Sequence, residues 1–216
     1  MKFDKKLLRL YIVTDRAWLN GADLGSQVEE SILNGATLVQ LREKVLDSIS
    51  FQSEAERIKT VCHKHGVPLI VNDNVDIALA ADADGVHVGQ RDMAAGDVRR
   101  KLGPDKILGV SAQTVEQAVA AQQAGADYLG VGAVFSTSTK LDAAEVGMDT
   151  LKAICAAVSI PVVAIGGIGP GTMGQLAGSG IAGVAVVSAV FAQPDIGAAT
   201  RKLRALSDMI VKEDGI

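Results

Sequence analysis

Short runs of aliphatic and β-branched residues alternate with longer stretches of helical periodicity about eight times along the 216 residues of the chain. Strands that alternate with helices predict a parallel sheet whose strands are joined by crossover helices. Eight such units in a chain of this length fit an α/β fold of the closed (β/α)8 type, the TIM barrel. The alternative is an open, doubly wound sheet. No linker, low-complexity tract or block of charge divides the sequence, so we expect residues 1–216 to form a single domain.

The predicted elements follow from apolar periodicity and from residues that start or end helices. The predicted strands cover residues 10–13, 38–41, 69–71, 86–88, 107–110, 128–134, 162–165 and 184–187. The clearest predicted helices cover residues 25–33, 53–65, 115–124 and 198–211. Side chains suited to the N-cap position precede helical patterns, namely Asp23, Ser50, Asp73, Thr114 and Asp195. Aromatic residues make up only 3% of the chain, so we expect a core of Val, Ile, Leu and Ala.

Composition excludes several classes of partner. The net charge is −4 and the isoelectric point about 5.4, without the broad basic face that nucleic-acid binding requires. The N-terminal apolar run is too short and too polar for a signal peptide or a membrane span, so we expect no membrane partner. Cys62 and Cys155 form no C-x-x-C motif, and we expect free thiols and a cytoplasmic location. The sequence leaves a homo-oligomer open.

Polar residues and glycines recur where the predicted strands end. They are Gln40-Leu41-Arg42-Glu43-Lys44, Asn72-Asp73, Gln90-Arg91-Asp92, Ser111, Thr137-Ser138-Thr139-Lys140, Gly166-Gly167 and Ser188. In a (β/α)8 barrel the C-terminal ends of all strands lie on one face, which carries the active site. Carboxylates, cations and a glycine-rich turn on one rim predict a site for phosphate and diphosphate groups together with a divalent metal.

Two carboxylates follow neighbouring strands of the predicted barrel. Asp73 comes after the third strand and Asp92 after the fourth. Carboxylates at adjacent strand ends can hold one Mg²⁺, whose other positions go to water and phosphate oxygens. The alternative for Asp73 is a helix N-cap ahead of Val75, and the two roles are compatible because they use different oxygens.

The remaining clusters suggest how two anions are held. Strand alternation points Gln40, Arg42 and Lys44 into the barrel mouth as one amide and two cations. Gly166-Gly167 and Ser188 match the usual phosphate site of this fold, where backbone N–H groups bind a monophosphate. Residues 137–140 carry three hydroxyls and a lysine, and we expect this loop to close over substrate.

The histidines suggest no catalytic base. His87 lies in the middle of a predicted strand, and we expect it to be a structural residue with satisfied hydrogen bonds. His63 and His65 fall at a predicted helix end, where we expect them to be exposed. No Ser-His-Asp or Cys-His arrangement is evident, so the sequence favours a chemistry that needs no histidine base.

These motifs, in this order, resemble those of the thiamine-phosphate synthase family over about residues 8–205. The matching motifs are QLREK at 40–44, VND at 71–73, GVHVGQRD at 85–92, GVSA at 109–112, FSTSTK at 135–140, AIGGI at 164–168 and VVSA at 186–189. Each motif is weak alone, but their succession in one barrel register is specific. The resemblance departs from the family pattern at Asn74, at Gln113 and at Gly132-Ala133, where an arginine or acidic residue, a histidine and Gly-Pro are common.

The resemblance implies a reaction and a set of site residues. Enzymes of this family join 4-amino-5-hydroxymethyl-2-methylpyrimidine diphosphate to 4-methyl-5-(2-phosphooxyethyl)thiazole and release thiamine monophosphate and pyrophosphate, with Mg²⁺ required. By resemblance, the pyrimidine diphosphate would be bound by Gln40, Leu41, Arg42, Glu43, Lys44, Asn72, Ser111 and Lys140. The thiazole phosphate would be bound by Thr137, Ser138, Thr139, Gly167, Val187 and Ser188. Asp73 and Asp92 would hold Mg²⁺, and the catalytic residues would be Arg42, Lys44, Ser111 and Lys140.

Three alternatives remain open at the level of sequence. A thiazole tautomerase of the same fold uses no diphosphate substrate, and the retention of Asp73, Asp92, Lys44 and Lys140 argues against it. A sugar-phosphate isomerase or aldolase needs a base or a Schiff-base lysine, for which the QLREK segment is a weak candidate. A non-catalytic barrel that binds a thiamine precursor would be expected to have lost the metal ligands.

Overall fold

In the computed structural model, which describes residues 3–19, 21–137 and 145–211, eight parallel strands close into a barrel. The strands follow one another in sequence order, and the first pairs with the last. They are β1 Leu10–Val13, β2 Leu38–Leu41, β3 Leu69–Asn72, β4 Gly85–Val88, β5 Ile107–Ala112, β6 Tyr128–Val131, β7 Val162–Ile165 and β8 Gly183–Val186. This order confirms the predicted (β/α)8 barrel and excludes the doubly wound alternative.

Among the described residues, six α-helices connect the first seven strands in turn, and two more follow β8. They are α1 Leu24–Leu33, α2 Ser48–Lys64, α3 Val75–Ala80, α4 Ala95–Leu102, α5 Val115–Gln123, α6 Met148–Ala157, α7 Ser188–Phe191 and α8 Ile196–Ile210. Short 3₁₀ helices cover Lys5–Leu8, Arg16–Trp18 and Met173–Leu176. None of the described helices has the length and apolar character needed to cross a membrane.

The sixth strand ends earlier than the sequence predicts. Residues 128–134 read as one apolar run, but β6 ends at Val131. At Gly132 a Cβ atom would lie 1.9 Å from the carbonyl oxygen of Ile165, so the chain passes against the end of β7. Beyond it, the backbone N–H of Val134 still donates to Ile165 O at 2.9 Å, outside the regular ladder. The Gly132–Ala133 peptide bond is cis.

Three of the five predicted N-caps are confirmed. Asp23, Thr114 and Asp195 accept hydrogen bonds from backbone N–H groups in the first turns of α1, α5 and α8. Ser50 is not a cap, because α2 begins two residues earlier, at Ser48. Its cap is Asp47, which accepts from the N–H groups of residues 49 and 50.

The prediction that Asp73 caps α3 is wrong, and this correction matters for the site. Asn74 is the N-cap, and its Oδ1 accepts from the N–H of Ile77 at 3.0 Å. Asp73 has a φ of +62°, in the left-handed region, so the chain turns one residue before the helix. An aspartate tolerates this conformation better than most side chains. The turn leaves the Asp73 carboxylate available for other contacts.

Two layers of buried side chains make up the core. The larger layer lies between the barrel and its helices and consists of Val, Ile, Leu and Ala, as predicted, with Phe51, Phe191 and a few other side chains. The smaller layer fills the barrel interior and contains Tyr11 and Tyr128, which the sequence analysis did not place. Cys62 is buried and Cys155 half-buried, and both are free thiols, as expected.

Candidate active site

A cavity of about 880 Å³ opens at the C-terminal ends of the strands. Residues that follow each of the eight strands contribute to its wall. Most of the predicted site residues line it, namely Gln40, Arg42, Lys44, Asn72, Asp73, Asp92, Ser111, Thr137, Gly167, Val187 and Ser188. Ser138, Thr139 and Lys140 lie outside the described residues. The barrel therefore brings the strand-end clusters together on the face where this fold carries its active sites.

Leu41 and Glu43 are the exceptions among the described site residues. The side chain of Leu41 is fully buried in the layer between barrel and helices. The side chain of Glu43 is 2% exposed, and both its oxygens accept from Nε of Arg16, at 2.8 and 2.9 Å. Arg16 also donates to Glu54 at 3.1 Å. The side chains of Leu41 and Glu43 thus anchor the QLREK segment from outside the cavity.

The three alternate residues of the same segment face the cavity, as strand alternation predicts. Nζ of Lys44 lies 3.2 Å from Oδ2 of Asp73. Nη1 of Arg42 donates to Oδ2 of Asp15 at 3.2 Å, which holds the guanidinium at the rim. The rim after β1 was missed in the sequence, although Asp15 follows a strand end in the same way as the other clusters. Trp18, the only tryptophan of the chain, also lines the cavity there.

Asp73 and Asp92 form a carboxylate pair at the ends of β3 and β4. Burial raises the pKa of Asp92, and the neighbouring charge of Asp73 and a hydrogen bond between the two side chains raise it further. An opposing effect comes from the backbone N–H of Gly89, which donates to Oδ2 of Asp92 at 2.7 Å. Asp73 is half-buried and Asp92 is exposed on the cavity wall, and two carboxylates that repel one another are the kind of site that a divalent cation stabilises.

The donor set fits Mg²⁺. This ion is commonly held in proteins by one or two carboxylates, with the other positions left to water and substrate phosphate oxygens. Within the described ranges, no group of three or more acidic, histidine or cysteine side chains could form a closed metal cage. Asp73 and Asp92 both line the open cavity, so neither carboxylate is closed off from it.

The opposite wall of the cavity has the features of a phosphate cradle. Gly166 and Gly167 follow β7 with φ values of +96° and +64°. A Cβ atom on Gly167 would lie 2.5 Å from the carbonyl oxygen of Ser136, so only glycine fits between the loops after β6 and β7. Ser188 opens α7 directly after β8. In the described part of the chain, the N–H groups of Gly167 and Ser188 have no hydrogen-bond acceptor, which leaves them available to an anion.

A hydrogen-bonded chain of side chains crosses the barrel beneath the cavity. Gln40 Nε2 donates to the Tyr11 hydroxyl at 2.6 Å, and the hydroxyls of Tyr11 and Tyr128 lie 2.8 Å apart. The Tyr128 hydroxyl lies 3.0 Å from Nδ1 of His87, whose Nε2 lies 2.9 Å from Oγ of Ser111. Burial raises the pKa of both tyrosines, so both phenols stay neutral.

These hydrogen bonds confirm that the ring nitrogens of His87 are satisfied. His87 also borders the cavity. The hydrogen-bonded chain joins Gln40 and Ser111, two residues for which the family resemblance implies contact with the pyrimidine diphosphate. The sequence signal for Tyr11 and Tyr128 is weak. They are the only tyrosines of the chain, and each stands at an inward position of a predicted strand.

Two residues at departures from the family motifs have visible roles. Gln113 lines the cavity, and its Nε2 lies 3.5 Å from the carbonyl oxygen of Gly132. Asn74 caps α3, as described above. Neither departure removes a predicted ligand of the metal or the diphosphate.

A closed (β/α)8 barrel with cations, a carboxylate pair and a glycine cradle on its C-terminal rim belongs to the class of phosphate-binding barrel enzymes. Comparisons with known proteins define the class further. The family model described as thiamine monophosphate synthase matches residues 10–190. The chain belongs to this family.

Individual relatives cover nearly the whole chain. The thiamine-phosphate synthase of Ruminiclostridium cellulolyticum is 55% identical over 194 residues, which are 90% of this chain and 92% of the relative. The thiamine-phosphate synthase of Lacticaseibacillus paracasei is 46% identical over 207 residues, 96% of this chain and 97% of the relative. The solved structure of thiamine phosphate pyrophosphorylase from Pyrococcus furiosus superposes with a TM-score of 0.88 at 35% identity. The match covers 96% of this chain and 99% of that one.

Proposed function

We propose that this chain is a transferase that condenses 4-amino-5-hydroxymethyl-2-methylpyrimidine diphosphate with 4-methyl-5-(2-phosphooxyethyl)thiazole, giving thiamine monophosphate and pyrophosphate. The observation that carries the proposal is the pairing of two anion sites in one cavity. A carboxylate pair with Lys44 lies on one wall, and a glycine cradle at Gly167 and Ser188 lies on the other. The family membership and the synthase relatives described above support the same reaction.

The wall formed by β2, β3 and β4 would bind the diphosphate. Arg42 and Lys44 supply positive charge at its rim, and the motif resemblance adds Lys140. Asp73 and Asp92 would hold Mg²⁺, which when bound neutralises charge on the diphosphate as a Lewis acid. Arg42 forms an ion pair with Asp15, and Lys44 forms one with Asp73. These ion pairs hold both cations at the cavity wall before substrate binds.

The pyrimidine ring would lie deeper, over the polar chain inside the barrel. Gln40, Asn72 and Ser111 offer amide and hydroxyl groups there, and the apolar side chains of Val163 and Ile165 line the same cavity. A mostly apolar floor with a few fixed polar groups suits a flat heterocycle that carries nitrogen atoms on its edge.

The thiazole phosphate would occupy the cradle on the opposite wall. Backbone N–H groups of Gly167 and Ser188, with the backbone of Val187 between β8 and α7, would bind the phosphate oxygens. Thr137 lines the cavity in the loop after β6. The family resemblance assigns binding of the same phosphate to Ser138 and Thr139 as well. Thr172 fixes the cradle, because its Oγ1 donates to the carbonyl oxygen of Gly167 at 2.9 Å.

This arrangement performs the reaction by charge stabilisation and positioning. Diphosphate departs first, as Arg42 and Lys44 stabilise its negative charge, and leaves a carbocation that the aminopyrimidine stabilises. The thiazole nitrogen, held in place by its phosphate, then forms the new carbon–nitrogen bond. No general base is needed, and both ring nitrogens of His87 are engaged in the barrel interior. The two free thiols are consistent with a reducing, cytoplasmic location.

The test is product formation by the purified chain. Incubation with both phosphorylated substrates and Mg²⁺ should give thiamine monophosphate, identified by mass spectrometry, and omission of either substrate should abolish it. The thiazole tautomerase alternative is tested in the same preparation by following isomerisation of a thiazole carboxylate phosphate without the pyrimidine. Tautomer conversion without thiamine monophosphate formation would overturn the proposal.

A further inference from the structure

We propose that Tyr11, Tyr128 and His87 are positioning residues that fix the hydrogen-bond polarity of the pyrimidine site. Their chain makes Gln40 present its carbonyl oxygen to the cavity and makes Ser111 present its hydroxyl hydrogen. The inference rests on the proposed function and adds a basis for substrate selection. The site would select a heterocycle with an amino donor on one edge and a ring-nitrogen acceptor on another.

The direction of each hydrogen bond follows from counting donors. Gln40 directs Nε2, which can only donate, at the Tyr11 oxygen. The Tyr11 proton then has the Tyr128 oxygen as its acceptor, and the Tyr128 proton has Nδ1 of His87. His87 must therefore carry its proton on Nε2, which donates to Oγ of Ser111. The Ser111 hydrogen is thereby left for the cavity.

With Gln40 in this orientation, reversing the hydrogen bonds between His87, Tyr128 and Tyr11 would leave a buried donor without an acceptor. If Nδ1 of His87 donated to Tyr128, Tyr128 would donate to Tyr11, which already accepts from Gln40. The Tyr11 proton would then have no acceptor among the described residues. Tyr128 is fully buried and Tyr11 is 1% exposed at the cavity wall, so solvent has almost no access to the two side chains. A buried donor without an acceptor retains its full desolvation cost.

The two ends of the hydrogen-bonded chain lie where they can contact a bound ring. Gln40 lies on β2 and Ser111 on β5, with two strands between them, and both line the cavity. Tyr128 holds the middle of the chain, and its ring is itself fixed by stacking on Phe3, with centroids 5.4 Å apart. A change of polarity at Tyr128 therefore reaches both walls of the pyrimidine site at once.

The first test needs no substrate and no activity. The ¹⁵N chemical shifts of the imidazole, measured on the whole chain at about pH 8, where an ordinary histidine is neutral, report the tautomer of His87. His87→Gln assigns its resonances among the three histidines. We expect the Nε2–H tautomer. The Nδ1–H tautomer would mean that the chain runs the other way and would overturn the proposal, whatever the enzyme assay shows.

The second test uses Tyr128→Phe, which removes one hydroxyl and keeps the stack on Phe3. We expect KM for the pyrimidine diphosphate to rise about tenfold, which corresponds to the loss of about one hydrogen bond, and KM for the thiazole phosphate to stay unchanged. Calorimetry with the pyrimidine diphosphate alone gives the same comparison without turnover. Equal losses for both substrates, or no loss for either, would contradict a positioning role. Tyr11→Phe is the matched variant. It should remove the hydrogen-bond acceptor of Gln40 Nε2, while His87 keeps the Nε2–H tautomer.

Discussion

Nζ of Lys44 lies 3.2 Å from Oδ2 of Asp73, and this contact exists because the next residue, Asn74, caps the helix instead. The left-handed turn at Asp73 separates the two tasks by one position. The helix is closed by a neutral amide, and the carboxylate stays on the cavity wall beside Asp92. Structure and chemistry at the end of β3 can therefore be tested separately.

Asn74→Ala should affect stability and not catalysis. Loss of an N-cap side chain costs about 1 kcal/mol of the free energy of unfolding. Urea denaturation measures this cost, and the rate of thiamine monophosphate formation should stay within about twofold of the unchanged chain. Asp73→Asn is the matched variant, with the opposite expectation of an intact fold and a strongly reduced rate. An inactive Asn74→Ala protein of unchanged stability would contradict this division.

Arg16→Ala should destabilise the protein through Glu43. The Glu43 carboxylate is almost fully buried and takes two hydrogen bonds from Arg16, so the variant leaves a buried charge without its partner. We expect a loss of about 2 kcal/mol in the free energy of unfolding, since Arg16 itself is partly exposed. Arg100→Ala is the control, because Arg100 pairs with Asp97 on an exposed helix face, where the loss should be below about 0.5 kcal/mol. Equal losses in both variants would contradict an anchoring role for Arg16.

Gly167→Ala should damage the phosphate cradle. The residue has a φ of +64°, and a Cβ atom would lie 2.5 Å from the carbonyl oxygen of Ser136, so the loops after β6 and β7 must move apart. We expect KM for the thiazole phosphate to rise at least about tenfold, as misplacement of a positioning group does in other enzymes. Gly174→Ala, where a Cβ atom meets nothing within 4 Å, should leave KM unchanged. The steady-state rate at varied thiazole phosphate concentration distinguishes the two variants.

The buried thiol of Cys62 should make stability depend on pH in the alkaline range. Burial raises the pKa of Cys62 from 9.0 to about 12, and a contribution from Asp84 adds to this. Below the ordinary pKa of 9.0 the thiol is protonated in both states, so its contribution to stability is fully present. As pH rises further, the unfolded chain loses the proton first, and that contribution is lost. Urea denaturation between about pH 8 and pH 10 should show a shallower decline for Cys62→Ala, and parallel curves would contradict the expectation.

The fold and much of the site are predictable because parallel barrels place all strand ends on one face. Knowing that Asp73 and Asp92 follow adjacent strands is enough to predict that they meet. The alternation that points Arg42 inward also points Leu41 and Glu43 outward, and the end of β1 belongs to the rim as much as the others do.

Other features depend on contacts that no local pattern contains. Tyr11 and Tyr128 are 117 positions apart, and their hydroxyls meet only because the closed barrel directs side chains of β1 and β6 into one interior. The cap at Asn74 depends on a left-handed turn at Asp73. Both residues are suitable N-caps by type, so the sequence alone does not show which of them caps the helix.

The most direct test of the proposed function is pyrophosphate release by the purified chain, measured with both substrates, with and without Mg²⁺, beside Asp92→Asn. The variant keeps the size of the side chain and removes the charge that would hold the metal. We expect release that requires both substrates and Mg²⁺, and that falls about 10²-fold or more in the variant, as when a transition-state charge loses its partner. Release that is independent of Mg²⁺ and unchanged in Asp92→Asn would contradict the role given to the carboxylate pair. Absence of release despite tight binding of the thiazole phosphate would contradict the synthase function itself.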